Sequence, residues 1–151
     1  RVAALGSGLG MEVLTWSARR DTPAAKDDIL RRADVVTLHV RLAPDTAGFI
    51  AQREFGLMKP AAILVNTGRG ALVDRGALLS ALTTGRIAGA GLDVFHDEPL
   101  ASGDPLLGCA NTVLSPHNAG QTPEVRRDGL LCAIENVENF LAGKPTNAVR
   151  G

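Results

Sequence analysis

The chain has 151 residues, the size of one ordinary domain, with 45% hydrophobic and 21% charged residues. That balance excludes a disordered tail, a collagen-like repeat and a low-complexity linker. The 16 Lys and Arg offset 16 Asp and Glu for a net charge of zero, which argues against a nucleic-acid partner held by phosphate neutralisation.

No apolar run approaches the roughly 18 residues of a membrane span, so no membrane partner is expected. Cys109 and Cys132 are too few for a disulfide framework and lack a CxxC spacing, which fits a reduced, cytoplasmic setting. The chain opens on Arg1 without a signal-peptide pattern. It reads from its first residue as a fragment of something longer.

In chain order, Val2, Leu5 and Leu9 share one face of a helix that ends at Gly10. Glu12–Trp16 reads as a strand, and Lys26–Arg32 as a short helix leading into a second strand, Asp34–His39. Ala61–Asn66 is the next strand. Asp74 caps a helix that Gly85 stops. Ile87–Val94 and the short run Thr112–Ser115 complete the strands. Thr122 caps the longest helix, with Pro123 at its first position and Leu130, Ile134, Val137 and Leu141 as its apolar stripe. Apolar strands alternating with helices predict an α/β fold, a doubly wound parallel sheet covered on both faces.

Ligands of such sheets bind at the carboxyl ends of the strands. The stretches to inspect are therefore Ser17–Arg20, His39–Arg41, Asn66–Gly70, Asp93–Pro99 and Ser115–Gly120. Gly6-Ser-Gly-Leu-Gly10 imitates a dinucleotide fingerprint, but Met11 stands where the third glycine belongs, and the glycines close a helix instead of opening one.

Three of those stretches carry chemistry. Arg69 sits between glycines directly after a buried strand, where its guanidinium can grip a carboxylate with two parallel bonds. Asp93 ends a strand, and Glu98 follows on the next loop. His117 comes after the last strand, with Glu98 19 positions before it. Alone, each has a bland reading: a turn arginine, a solvated glutamate, a packed or capping histidine. Together they form a system for oxidising a 2-hydroxy acid by hydride transfer. Arg69 would hold the carboxylate. His117 would take the hydroxyl proton, and Glu98 would hold the other imidazole nitrogen.

At these residues the sequence resembles the D-isomer-specific 2-hydroxyacid dehydrogenases, the family of phosphoglycerate dehydrogenase and hydroxypyruvate reductase. The motifs are Ala33–Val40, Leu57–Pro60, Val65–Asp74, Gly91–Phe95 with Glu98–Leu100, and Ser115–His117, in order and in register. The resemblance implies that Arg69, Glu98 and His117 are catalytic and that Asp93 meets the nicotinamide carboxamide. It implies that Val40, Thr67, Gly68, Arg69, His117, Asn118, Ala119 and Gly120 line the cofactor. It implies a Rossmann-type sheet, here incomplete for want of its first strand and phosphate loop, with residues 1–143 as part of the dinucleotide-binding domain. Residues 144–151 would begin the return toward a separate substrate domain, in a protein that is usually a homodimer. The partner is a small 2-oxo or 2-hydroxy acid, and no metal is implied.

The cofactor is NAD or NADP. Many NAD-using members carry an acidic residue where this chain has Ser17, followed by Arg19 and Arg20, so the resemblance leans slightly to NADP. The stretch from Ser17 to Ala33 is also shorter than the family pattern, which puts a peripheral strand in question. Two other classes stay open: a dinucleotide-sensing scaffold like the corepressors that share this fold, and a remnant that binds nothing.

Overall fold

The computed structural model describes residues 1–17 and 20–148. Their contacts divide the chain into two compact units, Arg1–His117 and the part from Asn118 onward. The first unit holds α1 (Val2–Gly8), α2 (Pro23–Arg32), β1 (Val35–Leu38), α3 (Gln52–Leu57), β2 (Ile63–Asn66), α4 (Arg75–Thr83), β3 (Gly89–Leu92) and β4 (Thr112–Leu114). The second is built on α5 (Pro123–Leu141).

The four strands form one sheet in the order β1-β2-β3-β4, every pair parallel. This is the α/β parallel arrangement that the alternation of elements predicts. Register sets Leu38, Asn66, Leu92 and Leu114 side by side. All four strands therefore end at one level, and the residues that follow them share one edge.

The core lies on one face of this sheet. Leu38, Leu64, Ala90 and Leu92 point into it, with Ile50, Phe55, Leu72, Leu78 and Leu82 from the connecting segments. The expectation that both faces are covered does not hold for the described residues. Val35 is 43% exposed, Ile63 42% and Val113 76%. α1 adds no cover, since it buries none of its residues and leaves Val2 and Leu5 in solvent. The stripe on α5 is likewise uncovered, since no residue of that helix is buried.

Glu12–Trp16 is not a strand. A strand exists by pairing, and no described strand lies in ladder contact with it. Side chains hold this stretch instead. Trp16 packs on Phe49 with ring centroids 5.2 Å apart, its indole N–H donates to the Thr22 carbonyl at 3.0 Å, and the Lys26 ammonium stands 4.6 Å over the Phe49 ring. The sequence reading also passed over α3, whose six residues are too few to show a period.

Local rules explain the helix ends. Gly10, at φ +79°, follows α1 while the Met11 amide donates to Gly6 and the Gly10 amide to Ser7. That pair of bonds is the left-handed glycine closure of a helix, so the glycine run is a stop and not a phosphate loop. Thr22, Asp74 and Thr122 cap α2, α4 and α5 through their side-chain oxygens.

Candidate functional site

The edge where the strands end carries most of the residues singled out in the sequence. After β2, the buried Asn66 turns its amide back on its own loop. Its Nδ2 donates to the Arg69 carbonyl at 2.9 Å, and its Oδ1 accepts from the Gly68 amide at 3.1 Å. A residue 1% exposed that binds the turn at both ends fixes the path of Thr67, Gly68 and Arg69. Sequence reasoning treated Asn66 only as the end of a strand. The available signal was a polar side chain closing an otherwise apolar run.

Arg69 is exposed, and its Nη1 donates to the Gly68 carbonyl at 2.7 Å. Val40 follows β1 and packs half-buried against the core. Asp93 follows β3, 3% exposed, and accepts the Ser115 hydroxyl at 2.6 Å. That bond ties the ends of β3 and β4 together, a role for Ser115 that the sequence did not disclose.

Glu98 and His117 meet. His117 Nδ1 lies 2.7 Å from Glu98 Oε2, while the Phe95 amide donates to Glu98 Oε1 at 2.9 Å. Both carboxylate oxygens are thus engaged. The local chain supports this geometry. Pro116 sits inside a tight turn in which the His117 amide donates to the Ser115 carbonyl at 3.0 Å, and His117 itself adopts φ +52°. Left-handed backbone at a histidine costs free energy and is retained where surrounding contacts impose it. A cavity of about 560 Å³ opens beside the pair, lined by Phe95, Leu100, Leu114 and Pro116 together with Glu98 and His117. That volume suits a small molecule.

The His117 hydrogen bond, with the Phe95 amide and the nearby positive charge of Arg69 adding to it, holds the Glu98 carboxyl below its ordinary value of 4.5. A carboxylate whose pKa is lowered by folding stabilises the fold above the unfolded value and loses that contribution as pH falls through the folded value. Glu98→Gln should therefore melt below the unsubstituted protein near neutrality, with the gap closing as pH falls below about 4. Thermal unfolding across a pH series reads this directly. A gap that stayed constant into strong acid would show that Glu98 is not ionised in the pair.

The remaining predicted positions are less closely tied to this edge. Ser17 lies in a turn where its amide donates to Asp21 Oδ2 at 2.7 Å. Arg19 is outside the described residues. Asn118, Ala119 and Gly120 are exposed and belong to the second unit, ahead of the Thr122 cap. No cluster of His, Cys, Asp and Glu among the described residues could hold a metal ion, and no described helix is long and apolar enough to cross a membrane.

Residues 1–119 match the family model described as D-isomer specific 2-hydroxyacid dehydrogenase, NAD binding domain. A glyoxylate reductase of Aeropyrum pernix is 43% identical over 159 aligned positions, covering 99% of this chain and 48% of that protein. The chain thus spans about half the length of the curated relatives it matches. Among solved structures, the NAD-complexed D-isomer specific 2-hydroxyacid dehydrogenase of Lactobacillus delbrueckii ssp. bulgaricus superposes with a TM-score of 0.84 at 29% identity, covering 99% of this chain and 51% of that one. An acyclic imino acid reductase in complex with NADPH and D-Arg superposes with a TM-score of 0.85 at 32% identity, covering 99% and 49%. By the matched model, the aligned relatives and the parallel sheet, this chain belongs to the D-isomer specific 2-hydroxyacid dehydrogenase family and carries sequence of its NAD-binding domain.

Proposed function

We propose that the protein carrying this chain is an NAD(P)-dependent oxidoreductase that interconverts a D-2-hydroxy acid and a 2-oxo acid. The observation that carries this reading is the Glu98–His117 pair beside an open cavity, with Arg69 near enough for its charge to act on Glu98.

In the direction of reduction, Arg69 grips the substrate carboxylate and turns the 2-oxo group toward His117. Glu98 accepts from Nδ1, which leaves Nε2 as the nitrogen that meets the carbonyl oxygen. A reduced nicotinamide, when bound, supplies the hydride to the carbonyl carbon. His117 gives its Nε2 proton to the oxygen, and Glu98 steadies the ring while it is charged. Oxidation reverses the order, with His117 as base.

The donor set at the strand ends suits a nicotinamide. Asp93 places a buried carboxylate at the end of β3, where it accepts the Ser115 hydroxyl. Thr67 and Gly68 place hydroxyl and backbone groups at the same edge. The lean to NADP rests on Ser17 and the arginines after it. On this reading residues 1–143 are part of the dinucleotide-binding domain, and residues 144–151 lead toward the substrate domain of a cytoplasmic homodimer.

The test is turnover by the full-length protein with glyoxylate and with hydroxypyruvate, following NADPH and NADH oxidation separately. We expect both acids to be reduced, with the higher kcat/KM for NADPH. Tight dinucleotide binding without turnover would replace the enzyme reading with a dinucleotide-sensing scaffold.

A further inference from the structure

We propose that His96, which no part of the catalytic arrangement above uses, is a positioning residue. It pins the turn that carries Glu98 to the loop that carries Arg69. The inference rests on the proposed function and adds to it a contact between its two halves.

Three observations converge. The His96 side chain reaches the other loop: its Nε2 lies 2.9 Å from the Val73 carbonyl. A carbonyl only accepts, so the ring donates there. Val73 is 2% exposed, so the bond ties an exposed turn to the core. Next to it the two backbones touch. A Cβ on Gly70 would stand 2.1 Å from the carbonyl carbon and oxygen of Phe95 and 2.6 Å from the His96 nitrogen. Only glycine permits that approach, and Gly70 directly follows Arg69. Finally, Arg75, which opens α4 just past the same loop, donates to Asp104 at 2.5 Å and lies 4.0 Å from Asp97, the neighbour of Glu98.

The consequence for the site is a short relay. The bond from His96 fixes the turn at Phe95, the Phe95 amide fixes Glu98 Oε1, and Glu98 Oε2 fixes the His117 ring. Loss of the His96 bond frees the turn. Glu98 and His117 remain present but lose their set distance from the Arg69 loop. Groups held loosely still bind substrate but align it poorly, so the effect belongs in kcat more than in KM.

The experiment compares His96→Phe with His96→Gln in the full-length protein. Glutamine places an amide nitrogen where the ring Nε2 stands and can donate to Val73, whereas phenylalanine cannot. His96 is exposed, so neither variant threatens the core. We expect His96→Phe to lower kcat about tenfold with KM for the 2-oxo acid and dinucleotide affinity nearly unchanged, and His96→Gln to recover most of it. Amide hydrogen exchange at Phe95 should quicken in the first variant and not in the second. Unchanged kcat in His96→Phe would overturn the proposal, as would a glutamine variant no better than phenylalanine. If the unsubstituted protein reduces no 2-oxo acid, the functional reading fails separately. Exchange at Phe95 then decides the clamp alone: quickened exchange sustains it and unaltered exchange ends it.

Discussion

His117→Gln is expected to lower kcat by roughly 10²- to 10⁴-fold, the span that a positioned proton donor contributes, while dinucleotide affinity stays within about twofold, a few tenths of a kcal/mol. Glutamine occupies much of the imidazole's space, but it cannot give and retake a proton. One complication is the backbone. His117 stands at φ +52°, where a long side chain such as glutamine is strained, whereas asparagine adopts that conformation readily. His117→Asn is therefore the control that separates strain from chemistry. It relieves the backbone and still cannot carry the proton, so it should lose kcat to the same degree. Steady-state kinetics beside calorimetric titration of the cofactor would read both quantities. If cofactor binding collapsed in both variants, His117 would be structural. If the asparagine variant kept its turnover, the proton would have to move through another group.

Much of the candidate site was legible in the sequence because its elements are local. A carboxylate after β3, an arginine between glycines after β2 and a histidine after β4 are each set by the end of an apolar run, and a parallel sheet gathers strand ends at one edge. The pairing of Glu98 with His117 is legible from the chemistry an acid–base histidine needs, and the two side chains do meet at 2.7 Å. What could not be read were contacts with no sequence period. Asn66 and Ser115 look like ordinary strand-end residues, and their bonds to the Arg69 loop and to Asp93 depend on side-chain direction. His96 looks like a solvated loop residue, and its bond to Val73 depends on how close Gly70 lets two backbones come. Glu12–Trp16 failed for the opposite reason. Its local pattern is strand-like, but pairing is a property of the neighbour, and the stretch is held instead by Trp16 on Phe49. Coverage of the sheet failed in the same way: periodicity gives each strand its apolar residues, and only packing reveals that α1 covers none of them.

Arg69→Ala is expected to raise KM for a 2-oxo acid about 100-fold, because removing a charged group that holds a carboxylate costs about 3 kcal/mol. The loop is prepared for that task before substrate arrives. Asn66 fixes the Gly68 amide and the Arg69 carbonyl, and Arg69 Nη1 leans on the Gly68 carbonyl. Little ordering of the loop remains to oppose binding. The bond to Gly68 occupies one donor of a guanidinium that has five, so a fork of two parallel bonds stays available for the carboxylate. Turnover should fall as well, by about tenfold, because the same grip sets the carbonyl oxygen against His117. Arg69→Lys discriminates between charge and shape. Lysine supplies a point charge without the planar fork, so it should restore part of KM and little of kcat. Should KM instead stay unchanged in Arg69→Ala, the carboxylate is held elsewhere.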